Sequence, residues 1–112
     1  MESNTIVTRD MFDHYNEYAE NVSYADIEEF IEAFSTDYIR GIVYEGKLYA
    51  LTVEQKRVWL ADPLDKDKHG YKMLEKSNCS TNDLDVLPSY KWHTFADKSL
   101  AELFDKLQFP SL

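Results

Sequence analysis

Apolar residues recur at helical spacing over the first third of the chain, alternate at strand spacing through the middle, and return to helical spacing near the end. Met11, Phe12, Tyr15, Tyr18, Ala19 and Val22 share one face of a helix predicted over about residues 9–20. Thr8 is its expected N-cap, and Asp10 is favourable in its first turn. Ser23 with Asp26 resembles a capping box, with Asp where Glu or Gln is usual. A second helix then runs to about Phe34 or Ser35. Ile27, Phe30, Ile31 and Phe34 form its buried stripe, with Tyr24 at the entrance. The short link at Glu20–Ser23 predicts a helical hairpin or corner.

The period then changes. Tyr38–Tyr44 and Lys47–Val53 flank Glu45-Gly46, a hairpin signal in which Gly46 accommodates positive φ. A tight Glu54-Gln55 link leads to a strand over Arg57–Ala61. Asp62-Pro63 is expected to end it, because proline gives no amide to the ladder. Asp62–His69 reads as a polar loop and Tyr71–Lys76 as a fourth strand. Ser77–Asp85 reads as loop, and Ser89–Phe95 alternates as a fifth strand. Asp97 or Ser99 caps a last helix to about Leu107. Ser99 and Glu102 have capping-box spacing, and Leu100, Leu103, Phe104 and Leu107 form the apolar stripe. Helices, then strands, then a helix define an α+β class with an antiparallel meander sheet of four or five strands.

The chain of 112 residues is the length of a single domain. It divides into a leader at 1–7, a helical pair at 8–35, a sheet at 38–95 and a C-terminal helix at 97–108. Three glycines and three prolines argue against a long flexible linker. One cysteine, Cys79, excludes an internal disulfide framework and fits a reducing compartment. The start, Met1-Glu2-Ser3-Asn4, has no basic or apolar signal-peptide region. No apolar run approaches the ~20 residues of a membrane helix. The expected location is therefore cytoplasmic, without a membrane partner.

Charge changes this picture more than composition does. Residues 1–40 hold ten acids and two bases, Arg9 and Arg40, a balance of −8. Residues 41–112 hold eleven acids and ten bases, a balance of −1, and the two sum to −9. Asp10, Asp13, Glu17 and Glu20 share one side of the first predicted helix, and Glu28, Glu29 and Glu32 repeat the arrangement on the second. Like charges at these spacings cost roughly 0.2–0.5 kcal/mol per pair. No lysine or arginine interrupts them between Arg9 and Arg40. A solvated, solubilising face is the plain explanation. The functional one is a docking face for a basic protein, such as a nucleic-acid-binding protein, which would gain on-rate from electrostatic steering. Direct nucleic-acid binding is disfavoured, since phosphates would be repelled. The leading expectation is a small non-catalytic binding protein of inhibitor, immunity or phage-antagonist type.

A second reading is an accessory or regulatory domain that acts through an aromatic sheet face. Tyr and Trp residues fall in the predicted strands, and Trp59, Tyr90 and Trp92 could anchor a partner or a homodimer on an exposed sheet face. Packing within the sheet is the commoner use of such residues. An enzyme comes third. Asp65, Asp67 and Gly70 match positions one, three and six of a calcium loop. His69 at five, Lys76 at twelve and strand-like flanks do not fit. A Cys79–His69 or Cys79–His93 dyad would need spatial contact and an orienting group. His14 beside Asp10 and Asp13 reads as a solvated histidine. No phosphate loop, H-E-x-x-H or G-x-S-x-G occurs, so no catalytic residue, metal or cofactor is expected.

Overall fold

The computed structural model describes residues 21–67 and 70–111. The helix predicted over 9–20, with Asp10, Asp13, Glu17 and Glu20, lies outside the described residues, as does His69. Helix α1 spans Ile27–Asp37. Its N-cap is Asp26, whose side chain accepts from the Glu29 amide at 2.9 Å, while the Ala25 amide donates to Glu29 Oε1 at 3.1 Å. The cap therefore falls three residues beyond Ser23, where the sequence offers both an acceptor and a glutamate at the third helical position. Phe30 and Phe34 are fully buried beneath α1.

Strands β1 (Ile39–Tyr44), β2 (Lys47–Glu54), β3 (Arg57–Asp67) and β4 (Gly70–Ser80) form one antiparallel sheet in the order β1-β2-β3-β4. The Glu45-Gly46 turn has φ of 50° and 79°, the left-handed pair that matches the twist of a two-residue hairpin. The next turn is Gln55-Lys56, not Glu54-Gln55, with φ of 51° and 64°; Glu54 pairs with Arg57 across it.

β3 does not stop at Pro63. The β3–β4 register shifts between Asp62 and Lys66, so the missing proline amide falls in the irregularity. The Leu64 amide there turns to Asp62 Oδ1 at 2.9 Å. β4 is correspondingly longer than Tyr71–Lys76 and includes Ser77–Ser80 of the predicted loop.

No fifth strand forms at Ser89–Phe95. Two 3-10 helices, Leu84–Ser89 and His93–Phe95, occupy this region. Its polar groups are met by nearby carbonyls and by one side chain instead of a strand ladder: the Tyr90 and Phe95 amides donate to the Leu87 and Trp92 carbonyls, and Trp92 makes an isolated bridge to Lys98. Glu75 on β4 accepts from the amide and hydroxyl of Thr94, the amide of His93 and the hydroxyl of Tyr90. The last helix is also short. α2 covers Leu100–Leu103 and tightens to a 3-10 turn over Phe104–Lys106. Its start is as the sequence indicates, with Ser99 and Glu102 forming a reciprocal capping box.

The main core lies on one face of the sheet. Ile42, Tyr49, Leu51, Val58 and Leu60 meet Phe30, Phe34, Trp92, Phe95, Leu100 and Phe109 there. On the other face, Val43 and Leu48 pack with Leu64. Gly41, Ala50 and Ala61 are aligned beside them and buried. The C-terminal segment runs along β1, with Val43 and Gln108 exchanging both backbone bonds, at 2.8 and 3.1 Å. The Val22 amide in turn donates to the Phe109 carbonyl at 2.8 Å. The C-terminal segment therefore occupies the β1 edge at Val43, and the start of the described chain pairs with that segment in turn. Among the described residues, no helix is long and apolar enough to cross a membrane.

Candidate functional site

α1 meets the 3-10 helix Leu84–Ser89 along a groove of about 640 Å³. Its floor is apolar: Ile27 and Ile31 from α1, with Leu84 and Pro88 from the facing helix. Glu28, Glu32 and Ser35 form one wall and Asp85 the other. Helical geometry explains the wall, since residues at steps of four and three stack on one face. Ile27, Ile31 and Leu84 are half-buried, touching the core on one side and the groove on the other. Val86, 41% exposed, lies on the same short helix.

The acidic residues of α1 have distinct roles. Glu29 is engaged in the N-terminal cap. Glu28 and Glu32 are exposed, stand one turn apart, and have no ion pair among the described residues. The nearest sequence cation, Arg40, does not neutralise them. Its guanidinium pairs with Asp37 at 2.6 Å and donates to the Ala33 carbonyl at 2.7 Å, near the helix C-terminus. α1 contains no basic residue, and among the described residues none lines the groove. The groove thus joins an apolar floor to a negative rim. Among the described residues, no group of three His, Cys, Asp or Glu side chains is arranged to hold a metal ion.

The three aromatics read as an interface do not share a surface. Trp59 lies on the outer face, paired with Thr52 and Lys76, and Lys76 Nζ sits 5.9 Å from its ring centroid. Tyr90 and Trp92 lie on the core side, edge to face at 4.6 Å. Trp92 is fully buried, and its indole nitrogen has no hydrogen-bond partner among the described residues. Tyr90 is half-buried; burial, reinforced by its bond to Glu75, pushes its hydroxyl pKa up to about 12.

Cys79 and His93 are not brought together. The thiol is buried in the core, and burial pushes its pKa up, away from a reactive thiolate. The His93 side chain is 85% exposed and pairs with Asp97. The calcium-like segment lies on β3 and β4, with Asp67 paired to Gly70, so strands flank it where a calcium loop has helices.

Comparison with known proteins finds no matching family model, curated protein or solved structure. The fold itself defines the class: an α+β protein built on a four-stranded antiparallel meander. Sequence reasoning singled out Glu28 and Glu32 but missed Asp85, Leu84 and Pro88. The facing wall is a 3-10 turn about fifty residues away, whose Leu87 is fully buried in the main core.

Proposed function

We propose that this is a small non-catalytic binding protein that docks a basic protein partner through its acidic N-terminal region. The observation that carries the reading is the Glu28–Glu32 rim, without an ion pair among the described residues, beside an apolar groove. A surface shaped only by stability would place cations at these spacings, since like charges one turn apart destabilise a helix by ~0.2–0.5 kcal/mol. The sequence before α1 adds Asp10, Asp13, Glu17 and Glu20 to the acidic character of the N-terminal region. A protein of this kind acts as an inhibitor, immunity protein or antagonist by covering a partner's basic surface, and its single reduced cysteine suits the cytoplasm.

Affinity capture from source-cell lysate tests this. One bait is the native protein. The other carries Asn or Gln at Asp10, Asp13, Glu17, Glu20, Glu28 and Glu32. The expected result is a basic protein held by the first and lost by the second, whose purified complex weakens steeply with salt. Equal retention by both baits would refute the acidic face.

A further inference from the structure

We propose that the groove between α1 and Leu84–Ser89 receives an amphipathic helix of the partner, its apolar side chains on the floor and its Lys or Arg residues against Glu28, Glu32 and Asp85. This rests on the acidic-face reading and specifies the ligand.

Three features select this occupant. First, the floor is apolar and half-exposed, so a purely ionic partner would leave Ile27, Ile31, Leu84 and Pro88 wet. Second, carboxylates stand on both walls, so cations are complementary on either side of an apolar ridge and anionic ligands are repelled. Third, both walls are helical and offer no free strand edge, which excludes strand addition and leaves side-chain insertion. The wall from Glu28 to Ser35 runs about 10 Å along α1, or two helical turns. A partner helix laid along it would place anchors at i, i+3 or i+4, and i+7. The apolar contacts hold the complex, while the rim steers encounter and fixes register.

The test uses the full chain and synthetic peptides. One peptide is a Leu/Lys helix with all leucines on one face. The other has the same composition scrambled to remove that face. Binding is read by fluorescence anisotropy at two salt concentrations, with methyl NMR of Ile27, Ile31 and Leu84. The expected result is at least tenfold tighter binding of the amphipathic peptide, with shifts at those methyls. Ser35→Trp fills the groove from an exposed position without removing a core contact, and should weaken binding tenfold or more while Tm is retained. A triple Glu28→Gln, Glu32→Gln, Asp85→Asn variant should weaken binding and flatten its salt dependence.

Equal binding of both peptides, or unchanged binding by a folded Ser35→Trp variant, would overturn the groove. If lysate capture still depended on the acids, the acidic face would survive that result as a flat electrostatic surface. If neither peptide binding nor capture responded to the acids, both readings would fall.

Discussion

Glu75 Oε1 accepts from both the amide and the hydroxyl of Thr94, each at 2.8 Å, while Oε2 accepts from Tyr90 and His93 at 2.9 and 3.0 Å. One carboxylate on β4 thus ties down the segment carrying Tyr90, Trp92 and Phe95. Hydrogen bonds to a charged group contribute roughly 1.5–3 kcal/mol, and several share this one acceptor. Glu75→Ala should destabilise the protein by about 2–3 kcal/mol in urea unfolding. An unchanged midpoint would show that the packing of Trp92 and Phe95 suffices.

The same contacts set an acid limit. Burial alone would raise the Glu75 pKa, but the bonds from Thr94, His93 and Tyr90 outweigh it and hold the carboxyl below its ordinary value. With the folded pKa below the unfolded one, the stabilisation is present above the ordinary glutamate range. It is lost as pH falls through the folded pKa. The stability gap between native protein and Glu75→Gln should therefore narrow below about pH 4.5. A gap constant from neutral to acid pH would mean that ionisation of Glu75 is immaterial.

Tyr90 gives the alkaline counterpart. With its pKa at about 12, its phenolate should appear after those of exposed tyrosines in an absorbance titration. Tyr90→Phe should remove part of that late signal, and loss from the early phase instead would contradict the Glu75 contact. The raised folded pKa means this contribution is complete below the ordinary tyrosine range and disappears as pH rises through about 12.

Gln55 and Lys56 both adopt positive φ without glycine or asparagine. Left-handed backbone costs an ordinary residue roughly 1–2 kcal/mol, and Asn-Gly is the preferred pair for such a turn. Gln55→Asn with Lys56→Gly should raise stability by about 1 kcal/mol, read as a higher Tm. A lower Tm would show that the turn's side chains hold it more than its backbone strains it.

The two tryptophans should report different environments. Acrylamide should quench Trp59 and leave Trp92 protected, so Trp59→Phe should abolish most of the quenching. Partner binding that shields Trp59 would favour an outer-face interface; unchanged quenching in the complex would favour the groove. The Cys79 thiol, buried and with a raised pKa, should react with a disulfide reagent only after unfolding. Rapid labelling of the folded protein would show that this end of β4 opens.

Local chemistry made several elements legible in the sequence. Glu45-Gly46 between two apolar runs specified a hairpin because its left-handed backbone suits glycine. The stripe Ile27, Phe30, Ile31, Phe34 specified a helix, and Ser99 with Glu102 specified a helix start, because these signals complete themselves within eight and four residues. The acidic character of α1 was legible in the same way. Tertiary structure decided the rest. Pro63 sits within a strand because the pairing with β4 slips there, and a register shift depends on the partner strand. The Ser89–Phe95 alternation did not become a strand: Glu75, fifteen or more residues upstream, takes the His93 and Thr94 amides, the Tyr90, Trp92 and Phe95 amides find backbone carbonyls, and Trp92 and Phe95 turn into the core. The groove followed the same logic. Sequence supplied the Glu28–Glu32 wall by helical period, whereas Asp85 and Leu84 face it only because long-range packing brings that short helix alongside α1.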